Sequence, residues 1–302
     1  MPRRVRRRES QEKGDPEMIL TLRRAGAEDA AAVGDICYRA FKAIAEAHRF
    51  PPDLPSPEVA TALLTGFLSH ERFFAVVAEA DGRIVGSNFL DERNLVSGVG
   101  PITVDPALQN EGAGRALMEA VMRRSQERGF PAIRLVQAGY HNRSLALYLK
   151  LGFQVREPLL CLQGPAAGKP MLGHPVRPAT ARDLEACNRL CLRVHGHERG
   201  GELADAVAQG TARVVERVGR VTGYATSIAY FSHAVAETND DLKALIRASE
   251  SFPGPGFLAP ARNTELVRWC LGEGLRIVHT MTLMTIGLYN SPAGSWLPSV
   301  TY

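Results

Sequence analysis

Residues 102–115 read Ile102-Thr103-Val104-Asp105-Pro106-Ala107-Leu108-Gln109-Asn110-Glu111-Gly112-Ala113-Gly114-Arg115. A strand-like run stops at Asp-Pro, and two glycines one residue apart open an amphipathic stretch. A helix that starts there leaves its first backbone N–H groups without intrahelical partners. Those groups carry the positive end of the helix dipole. Gly112 and Gly114 have no side chain to hold a ligand away, so the segment reads as an anion cradle suited to a diphosphate. Residue type excludes two common phosphate loops. A P-loop needs Lys followed by Ser or Thr where this chain has Arg115-Ala116, and a dinucleotide fingerprint needs a third glycine that is missing here.

The elements that must hold this loop follow from apolar spacing. Ile19–Arg23 reads as a short strand. Ala32, Val33, Ile36, Cys37, Ala40 and Phe41 recur at helical spacing. The prolines of Phe50–Pro57 force a loop, followed by a helix over Glu58–Ser69. Phe73–Ala78 and Arg83–Leu90 are β-rich and are joined by Asp81-Gly82, a hairpin signal. Val99–Val104 reads as one strand ending at Asp105-Pro106. Arg115–Arg128 reads as an amphipathic helix, Ala132–Val136 as a strand and Ser144–Leu151 as a short helix ending at Gly152.

Strand, Asp-Pro stop, glycine loop and helix together resemble the pyrophosphate segment Q/R-x-x-G-x-G/A of the GNAT family of N-acetyltransferases. Residues His141–Phe153 are similar to the second signature of that family, N-x-x-A-x-x-L-Y-x-x-x-G-F. Leu147-Tyr148 and Gly152-Phe153 match in register, Ser144 holds the small-residue place, and His141 holds the asparagine place with Asn142 one residue late. The resemblance covers residues 19–163. It implies an α/β fold with a mixed sheet, the acyl-CoA N-acyltransferase fold, and acetyl-CoA as acyl donor, with no metal. Ile102, Thr103 and Val104 would pair with the pantetheine arm, and a backbone N–H there would polarise the thioester carbonyl. Gln109, Asn110, Glu111, Gly112, Ala113, Gly114 and Arg115 would hold the pyrophosphate. Asn142 would bond the arm of the cofactor, with His141 as its in-register rival. Tyr148 would donate a proton to the departing thiolate, since a phenol near pKa 10 is protonated at neutral pH. An amine acceptor must lose a proton, and Asp91 and Glu92 are the candidates to take it, with His141 third. The activity implied is an acyltransferase acting by direct attack of a primary amine. The alternative is a non-catalytic acyl-CoA sensor.

A second half echoes the first. Arg24–Asp29 resembles Pro178–Asp183, and Gly82-Arg83-Ile84-Val85-Gly86 resembles Gly219-Arg220-Val221-Thr222-Gly223. Asn263–Trp269 followed by Gly272–Leu275 reads as a degenerate form of the second signature. No Q-x-x-G-x-G loop accompanies these echoes. The reading is two tandem GNAT-like domains: a basic, unstructured tail at 1–17, a catalytic domain at 18–163, a linker at 164–173 and a degenerate domain at 174–302. Tyr224, Ser227, Tyr230 and His233 could line a polar pocket in the second.

Bulk properties narrow the classes. The 302 residues, 45% hydrophobic and 23% charged, describe an ordinary globular chain. Five scattered cysteines lack zinc-site spacing and read as buried thiols, with Cys187 and Cys191 on one helix face. No apolar run reaches the roughly 20 residues of a membrane span. The arginines at 3, 4, 6, 7 and 8 are followed by no apolar segment, so no secretory signal is read. A cytoplasmic enzyme with a small amine or peptide acceptor is expected, with room for a homodimer, without membrane partners and without nucleic acid as its main partner.

Overall fold

Alternating strands and helices occupy the chain from Leu20 onward. The computed structural model describes residues 3–5, 19–166 and 168–302. They divide into two compact units, Met1–Glu92 with Gly98–Phe130, and Arg93–Ser97 with Pro131–Tyr302.

The first unit holds β1 (Arg3–Val5), β2 (Leu20–Arg24), α1 (Ala30–Ala47), α2 (Pro57–Ser69), β3 (Phe73–Ala80), β4 (Arg83–Asp91), β5 (Ser97–Val99), β6 (Thr103–Val104) and α3 (Ala113–Glu127). Strands β2, β3 and β4 pair antiparallel in that order, and β6 pairs with β4. Asp81 and Gly82 both take positive φ, +49° and +72°, as a two-residue hairpin turn requires. Ser56 caps α2 by accepting from the Val59 amide, and Pro57 fills the first turn. The core beneath is Val33, Cys37, Leu54, Leu64, Val77 and Phe89. Two expectations change. The single strand over Val99–Val104 is two short strands, because Gly100 sits at φ +135° and Pro101 has no N–H for the ladder. Most of the 1–17 tail lies outside the described residues. Its Arg3–Val5 stretch is nevertheless a strand antiparallel to β2, where it satisfies open backbone groups of that strand.

The second unit holds β7 (Ala132–Ala138), α4 (Asn142–Lys150), β8 (Gln154–Gln163), β9 (Val176–Pro178), α5 (Leu184–His195), α6 (Gly200–Ala208), β10 (Arg213–Arg217), β11 (Arg220–Ala225), β12 (Ala234–Ala236), α7 (Asn239–Arg247), β13 (Phe257–Pro260), α8 (Thr264–Gly272), β14 (Arg276–Gly287) and β15 (Ser295–Leu297). One sheet runs β15-β12-β11-β10-β9. Cys187 and Cys191 share the buried face of α5, as their spacing predicts. In the other set of pairings β14 lies between β7 and β8, and β13 pairs with the far edge of β8.

The sequence echoes are structural repeats. Arg23 donates bidentately to Asp29 and through Nε to Glu79; Arg177 does the same to Asp183 and Glu216. The turns at Asp81-Gly82 and Val218-Gly219 share their φ values. Both hairpins carry a register shift at the same place, Ala78/Glu79 and Val215/Glu216. Strands β8 and β14 each follow a Gly-Phe or Gly-Leu step. Leu159 and Met281, each the sixth residue after that step, pair with each other. On either side the pairs mirror one another: Leu160 with Thr280 against Pro158 with Thr282, and Leu135 with Met284 against Phe257 with Leu162. A local two-fold axis therefore runs through Leu159 and Met281. Each repeat lends one strand to the slot of the other.

The expected catalytic domain is 18–163, with a linker at 164–173. In the structure residues 131–163 cluster with 174–302, because β14 supplies the ladder on one edge of β7 and one edge of β8.

Candidate active site

In the first unit Asp105 ends β6 and starts the glycine loop. Its carboxylate accepts from the Ala107 amide at 3.0 Å and receives both terminal nitrogens of Arg39, at 3.2 and 3.0 Å. The Arg39 guanidinium holds this carboxyl below its usual range. Gln109 donates to the Val104 carbonyl at 3.2 Å, which folds the loop back on the strand. Asn110 and Gly112 then take left-handed φ values of +75° and +88°, and a Cβ on Gly112 would meet nothing within 4 Å. Gly112 is the N-cap of α3, and no side chain caps that helix. Leu117, Met118 and Val121 bury the opposite face. The result is a helix start with Gly112 and Arg115 exposed, Gly114 half-buried and Ala113 buried, whose first amides have no capping side chain. Arg115 is exposed and pairs with Glu119 at 3.4 Å. Thr103 and Val104 pair with Ser87 and Gly86 of β4, and among the described residues no strand pairs with the other edge of β6. Ile102 precedes the strand and is half-buried.

The expected proton acceptors lie at the end of β4. Glu92 is buried and accepts from Arg124 through both carboxylate oxygens, at 2.6 and 3.0 Å, with Arg128 at 3.7 Å. Both carboxylate oxygens of Glu92 are therefore engaged by the Arg124 guanidinium. Asp91 is 3% exposed and sits in the ladder opposite Phe73 and Gly98.

In the second unit Tyr148 lies on the buried face of α4, edge-on to Phe153 at 6.1 Å. Burial pushes its phenol up to about 12, opposed weakly by a hydrogen bond with Ser144. His141 caps α4, its Nδ1 accepting from the Ser144 amide at 3.3 Å. Asn142 is the exposed first residue of that helix. The in-register residue therefore caps the helix, and the Asn142 side chain is exposed.

With this geometry in view, residues 40–153 match the model of the acetyltransferase (GNAT) family. No curated protein sequence matches the chain. Among solved structures it is similar in fold to a Pyrococcus horikoshii chain named as an acetyltransferase, at 16% identity, TM-score 0.70 and 93% coverage of both chains. It is also similar to a GCN5-related N-acetyltransferase of Sphaerobacter thermophilus, at 14% identity, TM-score 0.59, covering 90% of this chain and 96% of that one. A third, from Anabaena variabilis, has 13% identity and TM-score 0.55, covering 88% of this chain and 72% of that one. These likenesses extend over both repeats, so the fold is the acyl-CoA N-acyltransferase fold in tandem.

The second GNAT-like repeat shows what the first retains. Glu237 stands where Asp105 does: its amide donates to Thr222 as that of Asp105 does to Val85, and it pairs with Arg193 as Asp105 pairs with Arg39. Seven residues separate Asp105 from α3, whereas Thr238 alone separates Glu237 from α7. Thr238 caps α7 by accepting from the Asp241 amide, and Asp240 and Asp241 occupy the first turn. A capped, acidic helix start repels phosphate. Cys270 takes the Tyr148 place, since Leu275 bonds its carbonyl as Phe153 bonds that of Tyr148. Tyr224, Tyr230 and His233 are buried rather than pocket-lining; the Tyr224 hydroxyl and His233 Nε2 are 3.0 Å apart. Sequence reading missed Arg39. Its only local signal is the i,i+4 pair with Asp35.

Among the described residues no helix is long and apolar enough to cross a membrane, and no three His, Cys, Asp or Glu side chains gather as a metal site.

Proposed function

We propose that the chain is an N-acetyltransferase that uses acetyl-CoA and a primary amine, with one donor site per chain. The observation that carries this reading is the uncapped, exposed start of α3 behind left-handed Asn110 and Gly112. The amides of Gly112, Ala113, Gly114 and Arg115 would hold the pyrophosphate, with Gln109, Asn110 and Glu111 shaping the loop. The open edge of β6 and residues Ile102–Val104 would pair with the pantetheine arm, and Asn142 would bond it. Acetyl-CoA supplies a thioester carbon; the amine nitrogen bonds to it and the carbon–sulfur bond breaks. Tyr148 keeps its proton through neutral pH and gives it to the thiolate, so that CoA leaves as the thiol. The amine proton passes to Asp91 or to water. Holding the reactants in line supplies much of the acceleration in such a transfer.

The commitment of Glu92 to Arg124 favours one second reading, an acyl-CoA-binding sensor without turnover. A CoA-release screen across amine classes, run beside an acetyl-CoA binding measurement, separates the two. Release with at least one amine class supports the enzyme. Binding without release from any class sinks it in favour of the sensor, and absence of binding sinks both.

A further inference from the structure

The second unit buries a cationic cluster that the acetyl-transfer reading does not use. Arg134, on β7, is 2% exposed, and Arg199, just before α6, is 1% exposed. Both guanidinium carbons lie against the ring of Tyr302, at 4.3 and 4.5 Å from its centroid. Arg199 pairs with Glu202, which also faces His233 Nδ1 at 3.1 Å. Arg134 has no carboxylate partner among the described residues. It donates to the Tyr302 hydroxyl and the Leu288 carbonyl and lies 3.2 Å from His197 Nε2. The Nε atoms of both arginines and Oε1 of Glu202 are buried without a hydrogen-bond partner. Burial and the neighbouring guanidiniums push His195, His197 and His233 down, His197 to about 4, so none offsets or adds charge at neutral pH. Arg93 nearby is balanced by Asp205 at 3.0 Å. Among the described side chains of the cluster, two buried cations thus face one buried anion.

Such an excess is costly unless an anion joins it. The repeat frame does not demand it, because Gly256 stands in the place of Arg134 one residue before the equivalent pairs of Leu135 and Phe257. Tyr302 holds its place with a backbone φ of +71°, a conformation that costs a tyrosine energy. We propose that Arg134, Arg199 and Tyr289, whose ring centroid lies 5.2 Å from the Arg134 guanidinium carbon, form a binding site for a small monocarboxylate with a flat apolar body, and that the Tyr302 ring is its replaceable occupant. The carboxylate supplies the missing charge to Arg134, and the flat body takes the space against the guanidiniums. Since β7 leads through residues 139–141 into α4, occupancy bears on the strand that carries the Tyr148 helix.

Thermal melts of the full chain at constant ionic strength test this, with sodium benzoate as probe and benzamide and chloride as controls. The expected result is a saturable rise of at least ~2 °C with benzoate alone. Arg134→Met removes the rise and, without benzoate, melts no lower than wild type, since it deletes an unbalanced buried charge. Tyr302→Gly vacates the seat and raises benzoate affinity about tenfold or more. The proposal is overturned if benzoate and benzamide act alike, if Tyr302→Gly leaves benzoate affinity unchanged, or if Arg134→Met melts several degrees lower and still responds to benzoate.

Discussion

At the scale of single residues, Tyr148 and Glu92 separate chemistry from architecture. Tyr148→Phe deletes one hydroxyl from a packed ring and keeps its edge contact with Phe153. The expected outcome is a kcat lowered by about 10²-fold, with acetyl-CoA affinity changed less than ~3-fold; wild-type turnover in this variant would remove the proton-donor assignment. Because the phenol is raised to about 12, it remains protonated where an unfolded tyrosine has already ionised near 10. Its contribution to stability is therefore complete below pH ~10 and is lost between there and about 12. Glu92→Gln has the opposite signature. It breaks the paired contact with Arg124, so a stability loss of about 1–2 kcal/mol is expected with kcat retained. Urea melts and steady-state kinetics on one preparation read both effects, and a collapse of kcat at normal stability would restore Glu92 as the base.

At the scale of elements, the start of α3 is built by backbone conformation, not by a capping side chain. Gly112→Ala carries only the cost of a left-handed φ, about 1–2 kcal/mol. Gly112→Glu carries the same strain and places a carboxylate where phosphate would sit. Calorimetric titration with acetyl-CoA should therefore show the glutamate variant at least ~10-fold weaker than the alanine variant; equal affinities would move the pyrophosphate elsewhere. On β14, Thr282 lies opposite both Gln137 and Pro158. The two-sided pairing explains why a strand from the second repeat governs the neighbourhood of α4.

At the scale of the molecule, the exchanged strands make the repeats interdependent. A fragment ending at residue 168 leaves the β14-facing edges of β7 and β8 open, and it also strips β13 from β8. It should be insoluble or expanded when expressed alone and recover native circular dichroism when residues 169–302 are co-expressed; a folded, monomeric fragment would contradict the strand exchange. Acid sensitivity belongs to this scale as well. His195, His197 and His233 are all held below the ordinary histidine value of 6.5. The unfolded chain protonates first, so stability should fall as pH drops below about 6.5 and on through the value near 4 for His197. Denaturation midpoints that stay flat from pH 7 to 4 would show these histidines ionised in the folded chain.

Much of this was legible without coordinates. Period-3.6 and period-2 spacing located the helices and strands of residues 19–151. Asp105-Pro106 with Gly112 announced the loop, because a proline stop and a left-handed glycine are local backbone requirements. The register of Tyr148 and Gly152-Phe153 was visible for the same reason, as were the echoes at Asp29 and Asp183, which are short-range caps. Tertiary structure alone decided two things. It bound Glu92 to Arg124 from another element. It also placed β14 between β7 and β8, a pairing between segments more than a hundred residues apart. Side-chain type and neighbour spacing encode what a segment can do within a turn or two. Which distant strand satisfies an open edge, and which guanidinium reaches a carboxylate, depends on packing that brings remote segments together.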